Sequence, residues 1–266
     1  MPPNATPTGW KTYDQFAHGI ATNRLPASSA LAGQTLLIEL EHLQLTLQCL
    51  TKNRLHWSEQ GASNGSGEDA YEAIEVAPDT FFIDLAPSSR PQEALTLIVN
   101  RRSLRVLAIR CHIISAEQAQ GQPRVPQDFW VGTLGPNPQA ATGPVPAPTR
   151  DLIGLRTFQT YSPSHTYEHT YLSSQRYAWQ CLVGVQRGHG DVDEASYYRF
   201  DEDQYLFTFR EYLIPVASVF FFNFASGRST GKFLGITGDG AIANNPAGAL
   251  MHKASQTFYP AEAAPV

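Results

Sequence analysis

Charge is scarce in this chain. Asp, Glu, Lys and Arg make up only 16% of its 266 residues, so much of the surface has to be finished with Gln, Ser, Thr and Asn. The formal net charge of −5 leaves no basic field able to hold a phosphate backbone, which argues against nucleic acid as a partner. Cysteine is equally sparse. Cys49, Cys111 and Cys181 stand far apart and none belongs to a C-x-x-C or zinc-ligand spacing. They are expected to be small buried apolar groups in a reducing compartment. Long hydrophobic runs are missing too: the longest, "LIPVASVFFFNF", is broken by Pro215 and Asn223 and is too short to span a bilayer. The N-terminal "MPPNATPTGW" lacks the charged start and apolar core of a signal peptide. A cytoplasmic protein without a membrane partner is expected.

Motifs for common cofactors are also lacking. No G-x-G-x-x-G follows a strand and opens a helix, and neither a phosphate loop nor a G-x-S-x-G occurs. Nucleotide enzymes and the usual serine hydrolases therefore have no support, and no cofactor is expected. "ASGRSTGKF" has a superficial "TGK" but the wrong glycine spacing, and it reads as a hairpin turn.

What the chain does have is strand formers, including 14 Phe and 11 Tyr. From Gly33 short β-like runs follow at intervals of about ten residues with turn-rich breaks, the signal of a sandwich or barrel. They are "TLLIEL", "LTLQCL", "RLHWSEQ", "AYEAIEV", "TFFIDL", "ALTLIVN" and "RVLAIRC". A second β-rich series runs from Leu152 to about Ile242. The expected organisation is an N-terminal extension (1–30) with a short helix near "TYDQFAHGI", then a first barrel (31–114). A linker rich in Pro, Ala, Gln and Gly (115–150), where "DFWVG" could dock as an anchor, leads to a second barrel (151–255).

The two series resemble each other in order. Gly33 falls opposite Gly154, Trp57 opposite Trp179, "AYEAIEVAPDTFFIDL" opposite "SYYRFDEDQYLFTF", and "RVLAI" opposite "KFLGI". A repeat this long implies two whole domains, each an antiparallel barrel of about eight strands, large enough for one small ligand.

Chemistry concentrates in the second series. "YSPSHTYEHTYL" sets His165, Tyr167, His169 and Tyr171 at every second position, so a strand would gather two imidazoles and two phenols on one face. Four large amphipathic groups suit the wall of a cavity better than an apolar core or a wet surface. "RYAWQCL" puts Tyr177 and Trp179 on one face, and "SYYRF" offers Tyr197 or Tyr198. In "QYLFTFREYL" Arg210 and Glu211 are alternatives, because the inward face of that strand is not fixed by the sequence. Imidazole can exchange protons near neutral pH and a phenol can hold an oxyanion. His165, Tyr167, His169 and Tyr171 are therefore the catalytic candidates. Tyr177, Trp179, Tyr198, His189 and one of Arg210 and Glu211 are the substrate-binding candidates.

"GHGDVDEA" places His189, Asp191 and Asp193 at alternate positions. It could be a metal site, a solvated turn whose Asp side chains cap the backbone, or a gate at the barrel mouth; the turn is the simplest reading, and no metal is assigned. In the first series Trp57 and Glu59 share a face, with Tyr71, Glu75 and Asp84 on other strands, but inward polar groups are sparser. That half reads as structural or regulatory.

"YSPSHTYEHTYL", "RYAWQCLVGVQRGHGDVD", "YLFTFREYLIP" and "STGKFLGI" resemble, in order and spacing, the C-terminal part of the MoaF family, labelled molybdenum cofactor biosynthesis protein F. "AGQTLLIEL" to "RVLAI" is similar to its N-terminal domain. The resemblance implies two lipocalin-like, or calycin-like, barrels in tandem; no pterin or nucleotide signature accompanies it. A looser likeness of fold is to small calycin-like phenolic acid decarboxylases, where Tyr, Arg and Glu in an aromatic barrel act without cofactor. The expectation is a mainly β protein that binds a small apolar or phenolic metabolite. It would act as a cofactor-free lyase, isomerase or cyclase, or alternatively as a non-catalytic carrier, and a homodimer stays open.

Overall fold

The computed structural model describes residues 8–61 and 64–266. The chain forms two units, one of Leu25–His112 with Gln127–Ala147, the other of Ile113–Pro126 and Pro148–Val266 with the described part of Met1–Arg24. Among the described residues no helix is long and apolar enough to cross a membrane.

In the first unit eight strands close into a barrel in sequential order: β1 (Thr35–Leu40), β2 (Leu43–Cys49), β3 (Arg54–Gly61), β4 (Gly65–Ala77), β5 (Thr80–Leu85), β6 (Glu93–Asn100), β7 (Arg105–His112) and β8 (Gln127–Leu134). Alternation decides what faces in. Leu36, Ile38 and Leu40 of β1 meet Leu43, Leu45 and Leu47 of β2 inside, while the residues between them face outward. The seam pairs Ile38, Glu39 and Leu40 with Leu134, Thr133 and Gly132. Gly132 is required there, since a Cβ would sit 2.2 Å from the Glu39 carbonyl oxygen.

β8 corrects the expected linker at 115–150. Its Pro- and Gly-rich flanks gave the segment a linker's composition, but β1 and β7 each leave an open edge of unpaired backbone groups, and this strand satisfies both. "DFWVG" is thus a barrel strand, and nearer the start of that segment Ala116–Ala119 forms the short helix α2, capped by the Ser115 hydroxyl.

The second unit repeats the plan with β10 (Leu155–Ser162), β11 (His165–Tyr171), β12 (Arg176–Val183), β13 (Gly190–Asp201), β14 (Gln204–Arg210), β15 (Val216–Asn223), β16 (Arg228–Ile236) and β17 (Ile242–Gln256). Pairing of β10 with β17 and of β12 with β13 closes the circle, and the two-residue β9 (Ala147–Pro148) lies beside β13. The fold is therefore mainly β, two closed eight-stranded antiparallel barrels in tandem.

The internal repeat is visible in backbone detail. Gly33 and Gly154 both have positive φ (+77° and +84°), and each donates its N–H to the last residue of the second strand of its barrel, Cys49 at 2.6 Å and Tyr171 at 2.8 Å. Asp79 and Asp203 both turn the fourth strand into the fifth in the left-handed region.

The extension expected at 1–30 is not a separate piece. Its first seven residues lie outside the described ones, but helix α1 (Tyr13–Ala17) enters the core of the second barrel. The Tyr13 hydroxyl donates to the Phe233 carbonyl at 2.6 Å and accepts from the Asn245 N–H at 3.2 Å. Phe16 and Ile20 are buried beside it. Deeper in the barrel the Phe207 ring lies 4.9 Å from Tyr177, 5.3 Å from Tyr171 and 5.4 Å from Phe222. Such pairs add about 0.5–1.5 kcal/mol each beyond area burial.

Candidate functional site

One end of the second barrel keeps a cavity of about 30 Å³, enough for about two water molecules. The strands supply Tyr161 from β10, Tyr167 and His169 from β11, Tyr177 and Trp179 from β12, Phe209 from β14, Glu211 just after it, and Phe233 from β16. Gln186 enters from the β12–β13 loop, and Phe16 and Ile20 from the N-terminal segment. Phe16 and Ile20 are both buried and take up part of the barrel interior.

The wall is aromatic with a few polar tips. Tyr167 donates its hydroxyl to Gln186 Oε1 at 2.7 Å, and Trp179 donates its indole N–H to Asp193 Oδ2 at 2.9 Å. Asp193, on the inward face of β13, also accepts from the backbone N–H of Tyr212. Burial holds its carboxyl well above the usual carboxylate range against these two hydrogen bonds, and the charge of Asp191 adds to the rise. Glu211 is raised as well, by burial first and then by Asp193 and Asp191. No side-chain hydrogen bond or ion pair is seen for Glu211 among the described residues. Burial drops the His169 imidazole to about 3, so it is neutral at physiological pH, and its Nδ1 has no hydrogen-bond partner. The phenols of Tyr161, Tyr167 and Tyr177 are all raised by burial and stay protonated.

The structure brings together five of the residues expected from sequence: Tyr167, His169, Tyr177, Trp179 and Glu211 all line the cavity. Others lie elsewhere. Tyr171 faces inward but deeper, its hydroxyl 3.2 Å from Thr157 Oγ1 in a chain that continues through Gln159 to Ser229. His165 shares the β11 face yet sits beyond the cavity, its Nδ1 3.4 Å from the hydroxyls of Ser162 and Ser164, against Gly19 and Gly184. His189 stacks near Trp10, with ring centroids 5.5 Å apart, and Trp10 in turn meets Trp179 at 5.7 Å.

Two expected wall residues point the other way. Tyr198 is on the outer face of β13, because its neighbour Tyr197 takes the inward place. Arg210 is also outward, with Glu194 and Ser196 each at 3.3 Å, which resolves the open choice in favour of Glu211. The turn reading of "GHGDVDEA" is corrected as well: Gly190 onward is strand, and Asp193 is a buried interior acid. Among the described residues no group of three His, Cys, Asp or Glu side chains is placed to hold a metal ion.

Sequence reasoning missed Phe16, Ile20, Tyr161, Gln186, Phe209 and Phe233. Tyr161 and Phe209 were readable by extending the period-two alternation of their strands. Phe16 and Ile20 were readable only as an apolar helix face without a destination.

The first barrel has the same indole–carboxylate pair but a different balance of charge. Trp57 donates to Asp69 at 2.7 Å, and Asp69 accepts the backbone N–H of Ser88 at 3.1 Å. Beside it, fully buried Glu59 is held by Arg110 at 2.7 Å and by Arg90, whose guanidinium stacks 4.9 Å over Trp57. Tyr71 is spent on the Thr51 carbonyl at 3.0 Å, and Asp84 meets Thr96 at 3.2 Å on the opposite face of its strand. Here every interior acid has its partner within the chain.

A tandem of closed eight-stranded barrels, one sealed by its own ion pairs and one keeping a lined cavity, defines a lipocalin-like protein. Residues 8–115 match the MoaF N-terminal domain and residues 146–257 the MoaF C-terminal domain. The chain is 32% identical over 252 residues to Protein MoaF of Klebsiella aerogenes, covering 89% of this chain and 90% of that protein. It belongs to the MoaF family. Among solved structures, a "putative beta-lactamase" from Burkholderia vietnamiensis aligns with 39% of this chain and 95% of its own at 13% identity, with a TM-score of 0.34. The DNA polymerase III beta chain of Streptococcus pneumoniae aligns over 90% of this chain and 82% of its own at 9% identity and a TM-score of 0.15. Neither likeness carries weight.

Proposed function

We propose that the second barrel binds one small, mainly aromatic or apolar molecule, with the N-terminal segment closing over it. The observation that carries this reading is a pair of polar groups on an aromatic wall: His169 Nδ1, which has no hydrogen-bond partner, and the buried Glu211 carboxyl, for which no side-chain partner is seen among the described residues. A buried polar group without a partner costs about 1–3 kcal/mol, and a ligand that meets it recovers that cost. The three free, buried cysteines support a reducing, cytoplasmic setting.

A second reading adds catalysis. Burial raises the Glu211 carboxyl while His169 stays neutral on the same wall, an acid and a base of the kind that a cofactor-free lyase, isomerase or cyclase uses. Titration of purified protein with single-ring aromatic alcohols, amines and acids, followed by Trp179 fluorescence and calorimetry, tests binding. Saturable binding lost in Trp179→Ala supports the site; no binding by any compound rejects it. Conversion of a bound compound that stops in Glu211→Gln would establish the enzyme, and unchanged turnover in that variant would remove Glu211 from it.

A further inference from the structure

The two barrels place the same acid in the same surroundings and then treat its charge differently. Asp69 and Asp193 each accept one indole N–H and one backbone N–H, from Ser88 in the first barrel and from Tyr212 in the second. The residue before that backbone donor is Pro87 in one and Glu211 in the other. Where the matched strands run "RVLAI" and "KFLGI", the next residue is Arg110 in the first barrel and Thr237 in the second. So the second barrel has Cys181 where the first has Glu59 and Glu211 where the first has Pro87, and it lacks the arginine that pairs with Glu59 in the first.

Among the described residues no Lys or Arg lines the cavity of the second barrel. Asp193 faces the interior from β13 and Glu211 faces it from the end of β14, while Asp191, two residues before Asp193 on the same face, is partly exposed and accepts from the Val192 N–H at 2.7 Å. Arg176, on the outer face of β12, acts on Asp193 only weakly and is itself paired with Glu194 at 3.3 Å. Lining the cavity with Glu211 are the phenols of Tyr161, Tyr167 and Tyr177 and the neutral imidazole of His169, whose free Nδ1 completes the polar side. Acids without a counter-cation, walled by the electron-rich faces of Trp179 and the tyrosines, are complementary to a cation. A guest with several N–H donors and an apolar body would fit both halves of the wall.

We propose that the ligand of the second barrel is an amine, a protonated primary or secondary ammonium carried on one aromatic or apolar ring. The ammonium meets Glu211, with Asp193 behind Trp179 as the second negative charge, and the ring takes the space now held by Phe16 and Ile20. This rests on the reading of the second barrel as a small-molecule site. Arrival of the cation stabilises the ionised carboxylate, so binding releases protons to solvent and tightens as pH rises from the carboxylate range toward neutrality.

Benzylamine, benzyl alcohol and benzoate have one ring each and differ in charge, so calorimetry with the full chain separates the cases. Benzylamine is expected to bind at least about tenfold tighter than benzyl alcohol, with benzoate weakest. Proton release is read by repeating the titration in buffers of different ionisation enthalpy. Glu211→Gln, or Asp193→Asn should the first variant fold poorly, is expected to abolish the preference for the amine, so that benzylamine binds no tighter than benzyl alcohol to the same variant. Equal or tighter binding of the alcohol or the acid overturns the amine assignment and leaves the site standing. Calcium or zinc binding alone and displacing benzylamine overturns it in favour of a metal ion. Failure of all three compounds, with Phe16→Ala protein as well as the native chain, removes the site and the amine together.

Discussion

Trp179 donates its indole N–H to the buried carboxyl of Asp193 at 2.9 Å, so an aromatic wall residue of the second barrel also sets the charge state behind it. That hydrogen bond lowers the Asp193 pKa against the larger raising effect of burial. Trp179→Phe keeps the ring and removes the donor, which pushes the carboxyl still higher. A carboxyl raised in the folded state is protonated there while it is ionised in the unfolded chain, so stability is full in acid and falls as pH rises through the carboxylate range toward the raised value. The variant is expected to lose about 1–3 kcal/mol at neutral pH and less near pH 4. Urea unfolding at both pH values checks this, and a larger loss in acid would contradict it.

His169 behaves in the opposite sense. Its imidazole is held neutral down to about 3 by burial, whereas the unfolded chain protonates it near the ordinary histidine value. Its contribution is fully present above about pH 6.5 and is lost as pH falls toward the folded value, at up to about 1.4 kcal/mol per pH unit. His169→Gln removes that proton sink, so the difference between variant and native stability should move in favour of the variant on acidification. Thermal unfolding followed from pH 7 to pH 4, on the order of three units, measures the slope. Parallel curves would mean that His169 titrates normally.

Much of this was legible before any coordinates. Period-two alternation located the first seven strands and much of the second series, though neither β8 nor β17, and put Tyr167, His169, Tyr177 and Trp179 on one wall, because a strand has only two faces and the other one carried Glu168, Thr170, Ala178 and Gln180. The alternation could not say how deep each residue lies along the barrel axis. Depth separates His169 at the cavity from His165 beyond it and Tyr171 beneath it. It also could not choose between Arg210 and Glu211, since both neighbours of an apolar strand end can be accommodated, and the choice came from Glu194 waiting outside for the arginine. β8 escaped notice because its backbone groups, and not its composition, are what the barrel needs.

In the first barrel the buried Glu59 carboxylate is paired with both Arg90 and Arg110. Removing one cation leaves an under-compensated buried carboxylate, which costs about 3–5 kcal/mol. Arg110→Met is therefore expected to lower the denaturant midpoint strongly, while ligand binding in the second barrel, measured below the unfolding transition, stays at its native affinity. Stability unchanged by Arg110→Met would show that Arg90 alone neutralises Glu59, and a lost ligand would show that the two barrels do not act separately.

Phe16 is the residue of the N-terminal helix that lines the cavity. Its ring packs edge-on to Phe233 at 5.6 Å and lines the remaining space with Ile20, although it comes from a five-residue helix outside the barrel sequence. A helix this short has little stability of its own and is held by its side-chain burial and the Tyr13 hydroxyl bonds. Phe16→Ala is expected to cost about 3–5 kcal/mol, since the vacated volume is lined by rigid strands that cannot collapse into it. The same vacancy should admit larger guests: a two-ring alcohol excluded by the native chain is expected to bind the variant, and single-ring compounds are expected to associate faster. Stopped-flow fluorescence of Trp179 measures both. If the variant is destabilised but neither the size limit nor the association rate changes, Phe16 is simply core, and entry to the barrel lies elsewhere.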